Sequence, residues 1–407
     1  MAASDVVVVG GGIAGASLAY ALAREGLGVT VLEASTEYED RVRGESMHTW
    51  GVNEARELGV ESVLLDAGAH VAPLWKQWTE GNEEPTDFPM SIMVPGIDGT
   101  LNLRHPDACQ ALADAAASAG ATVVRGVRDV KLTPGKSVGV SYAVNGDAGE
   151  VTADLVVGAD GRASTVRKQA GVTLERAEAM GYIAGLLLDG VEGVPDDYDV
   201  MVCEGDLFYL LFHQGGGRAR AYVASGLSGQ HLFSGRESAA KFLAAYDLDA
   251  YPWSEQVMAA TPAGPCATYP GDDTWTATPF ADGVVLIGDA AGHNDPIIGE
   301  GLSISMRDAR SVRDLVVDGA RKPADFAPYA EERVERMRRL RLGADVITVA
   351  MVEDGCDTRA ARRRYIGERM GAMDPEFFPL LAGLFAGPET IPGELVDEGI
   401  LDRIRTA

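Results

Sequence analysis

The pattern of apolar residues near the start of the chain predicts a β-α-β unit. Val6–Val9 is a β-branched run without alternation, which is typical of a parallel strand covered on both faces. After a glycine-rich turn, the apolar spacing predicts a helix from about Ile13 to Glu25, and a second strand is expected at Val29–Leu32. This order of elements predicts a Rossmann-like α/β domain.

Two later stretches repeat the order of strand, turn and helix. In Asp154–Gly171 an apolar strand ends just before Asp160, where an Asp-Gly pair opens a turn into a short helix. In Gly283–Ala309 a buried strand is followed by a Pro/Gly loop, and a helix begins near Gly301. The first domain is therefore predicted to be built from separated segments of the chain.

The segments between these units predict a second layer that is rich in strands. Tyr182–Leu188 is one predicted strand, and Leu207–Ser225 is a predicted hairpin that turns at three consecutive glycines. Alternation places Arg218, Arg220 and Tyr222 on one face of the second hairpin strand. That face is either exposed to solvent or the floor of a substrate pocket.

The length of 407 residues allows two or three domains. After residue 323 the chain is predicted to be mostly helical, so its last part is expected to form a small helical cap or interface. The predicted division is a discontinuous first domain over 1–75, 101–178 and 277–345, a second domain over 76–100 and 179–276, and a helical segment over 346–407.

Composition limits the classes of partner. The net charge of -26 argues against nucleic acid or an anionic membrane surface as a partner. The four cysteines are far apart and form no CxxC pair or Cys/His cluster, so neither a metal site nor a disulfide framework is predicted. Reduced thiols of this kind favour a cytoplasmic location. The cysteines are Cys109, Cys203, Cys266 and Cys356.

The first turn has the spacing of a dinucleotide-binding motif, Gly10-x-Gly12-x-x-Gly15. Gly10 allows the tight turn, Gly12 has no side chain to block a pyrophosphate, and Gly15 lets the helix approach the strand. The N–H groups at the start of the helix point at the phosphates. Glu33, at the end of the second strand, would accept hydrogen bonds from ribose hydroxyls and repel a 2′-phosphate. The predicted ligand is therefore FAD or NAD rather than NADP.

In this order and spacing, the three motifs resemble the class A flavoprotein monooxygenases, which have the p-hydroxybenzoate hydroxylase fold. The resemblance spans roughly residues 5 to 345. It implies a Rossmann-like FAD-binding domain interleaved with a β-sheet substrate domain, followed by C-terminal helices. It also implies non-covalent FAD as the cofactor.

The resemblance assigns roles to individual positions. Asp289 binds the ribityl chain, Pro296 lines the flavin ring, and the helix that starts near Gly301 stabilises negative charge on the flavin. Asp160 contacts FAD and, transiently, NAD(P)H. The predicted cofactor-binding positions are Gly10, Gly12, Ile13, Ala14, Gly15, Glu33, Arg43, Arg104, Val127, Asp160, Gly288, Asp289, Pro296, Gly299, Gly301 and Leu302.

The same resemblance implies the chemistry. NAD(P)H reduces FAD during a transient encounter, and O2 then gives a flavin C4a-hydroperoxide that hydroxylates or epoxidises an aromatic or polyketide-like small molecule. Arg220 and Tyr222 match an Arg-x-Tyr pair that faces the flavin in the family, so both are predicted to act in catalysis. The pattern leaves the oligomeric state open.

Other chemistries on the same fold remain alternatives. The stretches "GDAAGHNDP" and "RGES" are features shared with flavin halogenases and geranylgeranyl reductases. The WxWxIP signature of halogenases is absent, and the strand that matches the YxWxF signature of the reductases lacks its tryptophan. Monooxygenation is therefore favoured over reduction or desaturation, over halogenation, and over a flavin-binding protein without catalysis. Lys76, which is tempting as a halogenase lysine, and His213, which ends a strand near a turn, are expected at the surface.

Overall fold

The computed structural model describes residues 2–40, 42, 44–395 and 399–407. Its strands are β1 (Ala2–Val9), β2 (Val29–Glu33), β3 (Ser46–Met47), β4 (His70–Ala72), β5 (Leu74–Thr79), β6 (Thr86–Pro89), β7 (Thr100–Asn102), β8 (Thr122–Arg125), β9 (Val127–Thr133), β10 (Val138–Val144), β11 (Asp147–Gly158), β12 (Glu175–Ala177), β13 (Gly181–Asp189), β14 (Asp199–Glu204), β15 (Leu207–His213), β16 (Arg218–Gly226), β17 (Thr261–Pro262), β18 (Ala267–Pro270), β19 (Asp273–Trp275), β20 (Phe280–Ala281) and β21 (Val284–Leu286).

The helices are α1 (Ile13–Arg24), α2 (Thr49–Leu58), α3 (Glu61–Asp66), α4 (His105–Ser118), α5 (Thr165–Gln169), α6 (Ser238–Ala244), α7 (Ser254–Met258), α8 (Gly301–Val317), α9 (Ala327–Met351), α10 (Cys356–Gly371), α11 (Phe377–Ala386) and α12 (Gly399–Arg405). Short 3₁₀ turns at Gly288–Ala291 and Pro296–Ile298 precede α8.

The first sheet joins the three motifs that the sequence predicts. Its order is β20-β21-β11-β1-β2-β8, and β1 pairs in parallel with both β2 and β11. Val6 lies opposite Val29 on one side and Leu155 on the other. The carboxyl ends of these strands therefore meet at one edge, which is where ligands bind in open α/β sheets.

Both faces of this sheet are covered, as the unbroken apolar run of β1 requires. Val6 and Val8 pack with α1, α4 and α8 on one face. Val7 and Val9 point to the other face, into a cluster that includes residues of β9 and β10. The predicted α/β class and the interleaved β-sheet layer are confirmed.

The second sheet separates two apolar regions. Its order is β17-β13-β16-β15-β14-β5-β6, and β15 and β16 form the hairpin that the three glycines predict. Tyr209 and Leu211 face a core that is closed by α6 and α7. Phe208, Leu210 and Phe212 face the other way, toward the C-terminal helices. Alternation along β15 therefore gives the sheet one face that packs on α6 and α7 and a second, free face that is directed toward the C-terminal helices.

The C-terminal helices pack against the second sheet and the start of α2. Trp50 Nε1 donates a hydrogen bond of 3.2 Å to the carbonyl oxygen of Leu384 in α11, and Thr49 Oγ1 donates one to the carbonyl of Phe385. Helix α9 is continuous across residue 345, so the predicted boundary at that position falls inside a helix. The division of the chain into domains otherwise stays a prediction.

Candidate functional site

One large cavity connects the carboxyl edge of the first sheet with the free face of the second. Its volume is about 2230 Å³. Pockets for drug-sized ligands are usually about 300–1,000 Å³, so this cavity has room for a dinucleotide together with a second molecule. The C-terminal helices α10 and α11 form part of its wall.

The glycine turn forms one end of the cavity. Gly10 has φ +102°, and a Cβ atom built on it would lie 2.3 Å from the Ala159 carbonyl oxygen. A Cβ on Gly15 would lie 2.0 Å from the carbonyl oxygen of Gly10, which shows how closely α1 approaches the turn. A Cβ on Gly12 would meet nothing within 4 Å, because this position faces the open cavity. Of the three glycines of this motif, Gly12 is therefore the one at which an added Cβ would border the space that a ligand would occupy.

Glu33 is fixed in place beside this turn. Its Oε2 accepts a hydrogen bond of 2.6 Å from the Gly11 N–H, and its Oε1 accepts one of 2.7 Å from the Ser35 N–H. The side chain is buried but lines the cavity. Each carboxylate oxygen can accept more than one hydrogen bond, so Glu33 retains capacity for the hydroxyls of a ribose.

Two aspartates lie farther along the cavity. Asp160 accepts hydrogen bonds from the N–H groups of Thr165 and Val166, at 2.6 and 3.2 Å, so its carboxylate holds the start of α5. Asp289 is half-buried, and its Oδ2 accepts a hydrogen bond of 3.2 Å from Arg162 Nε. Both line the cavity, and Asp289 keeps an oxygen for a hydroxyl of a ligand.

A buried ionic cluster holds the third motif against α9. Asp308 is inaccessible to solvent and accepts hydrogen bonds from Arg333 Nε at 3.1 Å and from the Gly288 N–H at 2.8 Å. Arg333 also donates to the carbonyl of Gly292, and Arg336 donates to Asp308 at 2.6 Å. These contacts fix the loop that carries Asp289. No local sequence pattern predicts them, because the partners are 20 or more positions apart in the chain.

The loop before α8 presents its backbone to the cavity. Asp295 Oδ1 accepts a hydrogen bond of 2.9 Å from the Ile297 N–H, and Gly299 has φ +67°. Helix α8 then begins at Gly301, so its positive end lies at the cavity. Among the predicted positions, Gly288, Pro296, Gly299, Gly301 and Leu302 all line this stretch.

The predicted catalytic pair surrounds a glutamate that the sequence analysis missed. Tyr222 Oη donates a hydrogen bond of 2.6 Å to Glu45 Oε2. Arg220 Nη2 lies 3.1 Å from Glu45 Oε1 and 2.7 Å from Asp40 Oδ1. Burial raises the pKa of Glu45 to about 7, although Arg220 and the hydrogen bond from Tyr222 act in the opposite direction.

Tyr222, Glu45 and Asp40 line the cavity, whereas Arg220 is buried behind them and does not. The Arg/Tyr face of β16 is therefore not a solvent face. Arg220 contacts the two carboxylates, and a catalytic role for it and Tyr222 stays a prediction. The only sequence signal for Glu45 is the "RGES" stretch, in which it is the third residue.

The remaining predicted positions fall in different surroundings. Arg104 does not line the cavity, and its Nη2 donates a hydrogen bond of 3.2 Å to the carbonyl of Gly215 in the hairpin turn. The expectation that His213 lies at the surface is wrong: the side chain is 2% exposed, and burial lowers its pKa to about 4. Val127 is buried and lines the cavity, as do Ile13 and Ala14. Arg43 lies outside the described residues.

The other end of the cavity is apolar. Side chains from the second sheet, from the turn before α8 and from helices α9–α11 meet there, so the local sequence of any one segment does not reveal this end of the cavity. The apolar lining includes Trp75, Phe88, Met201, Phe208, Leu210, Phe212, Ile298, Met351, Ile366, Leu381, Leu384 and Phe385. Lys76 is not part of this lining, because its Nζ lies 3.0 Å from Asp87 on the neighbouring strand β6.

These features fit FAD. Gly12 leaves open space at the position for a pyrophosphate, Glu33 and Asp289 offer acceptors for two sets of hydroxyls, and the start of α8 offers backbone N–H groups. All of these positions line the same cavity as the apolar side chains. The part lined by these positions is called the cofactor groove below, and the part lined by the apolar side chains is called the chamber.

Comparison with known proteins gives the family. Residues 3–214, which are more than half of the chain, match the family described as "FAD binding domain". A digeranylgeranylglycerophospholipid reductase of Methanothrix thermoacetophila is 30% identical over 77% of this chain and 78% of the relative. The chain belongs to this FAD-binding family.

Other relatives include oxygenases. The squalene monooxygenase of Mus musculus is 25% identical, and the match covers 77% of this chain but only 55% of that protein. The 6-methylpretetramide 4-monooxygenase of Streptomyces rimosus is 27% identical over 78% of this chain and 76% of the relative. The chain thus spans little more than half the length of its squalene-oxidising relative.

Solved structures share the fold. A flavin-dependent brominase superposes with a TM-score of 0.76 over the full length of both chains, at 18% identity. The anhydrotetracycline hydroxylase of Streptomyces rimosus gives a TM-score of 0.71 over 94% of this chain and 76% of that chain, at 21% identity. At these identities the likeness establishes the flavoprotein monooxygenase fold alone. None of the described helices is long and apolar enough to span a membrane.

Proposed function

We propose that the protein is an FAD-dependent monooxygenase that uses NAD(P)H and O2 to hydroxylate or epoxidise an apolar small molecule, aromatic or polyketide-like in character. The observation that carries this proposal is the apolar chamber that continues directly from the cofactor groove. A reaction that generates a reactive oxygen species needs a site that excludes water and holds the substrate against the cofactor.

Different residues of the chain bind the cofactor and form the wall of the chamber. Gly12, Glu33 and Asp289 bind the extended cofactor, which supplies hydride acceptance and oxygen activation when bound. Helices α10 and α11 form part of the chamber wall, and the hydrogen bonds from Thr49 and Trp50 hold α11 in place. Elements that come late in the chain thus limit the access of water to the chamber.

Tyr222 and Glu45 supply polar chemistry at the wall of the chamber. Because the pKa of Glu45 is raised to about 7, the carboxyl exchanges a proton near neutral pH. Tyr222 donates its hydroxyl hydrogen to Glu45, and both side chains line the cavity. The Glu45 carboxyl is therefore the polar group that this pair offers to an oxygenated substrate.

Named oxygenases among the relatives support the proposal. A squalene monooxygenase and a 6-methylpretetramide 4-monooxygenase each match more than three quarters of this chain. Their names describe an isoprenoid and a polycyclic substrate, both largely apolar. Halogenation has less support, because Lys76 is paired with Asp87 outside the cavity.

Reduction of a double bond is the second candidate. The specific observation in its favour is the digeranylgeranylglycerophospholipid reductase, which is 30% identical over most of both chains. A reductase would use the same groove and chamber but would need no O2. The two candidates therefore differ in the fate of oxygen rather than in the architecture of the site.

The test is a screen of the purified holoenzyme with polycyclic aromatic, polyketide-like and isoprenoid compounds, in air and under anaerobic conditions. Monooxygenation predicts that a substrate raises NAD(P)H oxidation and O2 uptake together, with one O2 consumed per NAD(P)H. A compound that is converted anaerobically, with the gain of two hydrogen atoms, supports the reductase and contradicts the proposal. Failure of every compound to raise O2 uptake above the substrate-free rate also contradicts it.

A further inference from the structure

A buried histidine and glutamate stand where the cofactor groove meets the apolar chamber. His48 Nδ1 lies 3.0 Å from Glu300 Oε1, and the two side chains are 4% and 0% exposed. Both residues line the cavity. His48 immediately precedes α2 and Glu300 immediately precedes α8, so the two residues are far apart in the chain.

The surroundings of His48 determine where its exchangeable proton sits. Nδ1 also lies 3.1 Å from the carbonyl oxygen of Leu384, which can only accept a hydrogen bond. Nδ1 therefore carries a hydrogen in either charge state, and Nε2 is the atom that gains or loses a proton. A Cβ built on Gly299 would lie 3.4 Å from Nε2, so this atom faces the loop before α8.

Aromatic rings fix the orientation of the imidazole. Phe385 stacks on it with ring centroids 4.6 Å apart, and Trp75 meets it edge-on at 5.4 Å. Both rings belong to the apolar chamber. His48 thus has the cofactor loop on one side and the chamber on the other, and it cannot rotate freely between them.

The geometry points to His48 as the residue that exchanges the reaction's proton through Nε2, with Glu300 as the positioning residue that holds the ring and its charge. This inference rests on the proposed monooxygenase function. Its overall balance is substrate, O2, NAD(P)H and one proton giving oxygenated product, water and NAD(P)⁺. One oxygen atom leaves as water, and the proton that this requires comes from His48 Nε2 and is replaced from solvent.

The charges around His48 favour the protonated ring. Burial lowers the pKa of His48, but the carboxylate of Glu300, its hydrogen bond and the hydrogen bond to Leu384 outweigh burial, so the pKa is raised above its ordinary value. Asp199, which is buried and accepts hydrogen bonds from Thr100 and Asn102, acts in the same direction from β14. The imidazolium therefore persists to a higher pH than that of a free histidine.

The first experiment observes the histidine directly in the FAD-loaded protein. The chain has six histidines, so ring resonances of protein labelled with [¹³C]histidine can be resolved, and the one that disappears in His48→Gln is His48. Its titration midpoint should lie above about 6.5, the value for an unperturbed histidine. In Glu300→Gln, which keeps the shape of the side chain but removes the charge, the midpoint should fall. A midpoint at or below the free value in wild type overturns the assignment.

The second experiment measures the proton in the reaction. His48→Gln should lower kcat about 100-fold with little change in KM, because general acid catalysis typically contributes about 10²–10⁴-fold. Oxygen should be lost as H2O2 in place of product, and the pH dependence of kcat near the His48 midpoint should vanish. Glu300→Gln should shift that dependence to lower pH, and His231→Gln, at an exposed histidine, should match wild type.

The outcomes separate this inference from the proposed function. If no substrate supports O2 uptake, the proposed function fails, whereas the titration of His48 and the pH dependence of the flavin midpoint potential still test the residue. A charged His48 predicts a break in that dependence, which His48→Gln removes. Wild-type kcat, coupling and midpoint potential in His48→Gln overturn the inference even if the protein is a monooxygenase.

Discussion

Tyr222 donates a hydrogen bond of 2.6 Å to Glu45, and the two residues together form a polar patch in the wall of the cavity. Glu45 reaches this position from the segment before β3, and Tyr222 from the middle of β16. Arg220 lies beneath them, between Glu45 and Asp40. The patch thus connects the segment before β3 with the second sheet.

Removal of the Tyr222 hydroxyl should make Glu45 harder to ionise. Burial raises the pKa of Glu45 to about 7, and the hydrogen bond from Tyr222 opposes that rise. A hydrogen bond to a charged group contributes about 1.5–3 kcal/mol, so Tyr222→Phe should move the midpoint upward by about one pH unit or more. The measurement is the pH dependence of flavin reduction by NAD(P)H in stopped flow.

Two further variants serve as controls for the pH profile of Tyr222→Phe. Glu45→Gln should remove the titration, and Tyr209→Phe, on the opposite face of the same sheet, should leave it unchanged. If Tyr222→Phe and wild type have the same pH profile, Glu45 is not the group that titrates.

Gly12 and Gly367 provide a matched test of the cofactor groove. At both positions an added Cβ would meet nothing within 4 Å, and both line the cavity, but Gly12 faces the pyrophosphate position and Gly367 lies in α10. Gly12→Val should lower FAD affinity at least about 10-fold, which corresponds to about 1.4 kcal/mol, while far-UV circular dichroism stays unchanged. Gly367→Val should retain FAD. Equal FAD content in the two purified variants would show that the groove is misassigned.

Asp289 should contribute to FAD affinity through its own carboxylate and not through Arg162. Asp289→Ala removes an acceptor and should weaken FAD by about 1.5–3 kcal/mol, or roughly one to two decades in affinity. Arg162→Ala removes only a half-exposed ion pair, which is worth about 0–1 kcal/mol. Fluorescence titration of the apoprotein with FAD distinguishes the two variants. A larger loss of FAD affinity in Arg162→Ala than in Asp289→Ala would show that the arginine, and not the aspartate, binds FAD.

The glycine motifs could be predicted because their constraints are local. Gly10, Gly12 and Gly15 act within one turn, and the strand, turn and helix around them have strong periodicity. The same holds for the hairpin of β15 and β16, whose alternation correctly placed Arg220 and Tyr222 on one face. Local pattern determines which face a residue occupies.

What covers that face depends on contacts that the sequence pattern does not encode. His213 was expected at the surface because it precedes a turn, but the packing of neighbouring segments leaves it 2% exposed. Glu45, His48 and Glu300 meet their partners across more than 170 positions of sequence. No spacing rule applies at that distance. The part of the C-terminal helices in the cavity wall was missed for the same reason.

The loop before α8 should make stability depend on pH. Burial raises the pKa of Asp295 to about 7, against the hydrogen bond from the Ile297 N–H, and Asp273 adds to the rise. An acid whose pKa is raised by folding contributes stability below its unfolded pKa, near 3.8, and loses that contribution as the pH rises to about 7. Asp295→Asn should therefore stabilise the holoprotein at pH 8, by about 1–2 kcal/mol, with no gain at pH 4.

Asp325 is the matched control, because its pKa is shifted in the opposite direction from that of Asp295. It accepts hydrogen bonds from the N–H groups of Arg321 and Lys322, which lower its pKa. Asp325→Asn should therefore destabilise the protein at pH 8, and most of this effect should persist at pH 4, because it is lost only when the pH falls below the lowered pKa. Urea unfolding of both variants at pH 8 and pH 4 gives the comparison. An Asp295→Asn protein that is less stable than wild type at pH 8 would contradict the assigned sign.

The central claim is that the chamber brings an apolar substrate to oxygen activated at the cofactor, and turnover under ¹⁸O2 tests it most directly. The substrate found in the O2-uptake screen is incubated with holoenzyme and NAD(P)H, and the product is analysed by mass spectrometry. The account predicts one ¹⁸O atom in each product molecule and the second in water. Product that forms without ¹⁸O, or that forms equally well when O2 is absent, would contradict it.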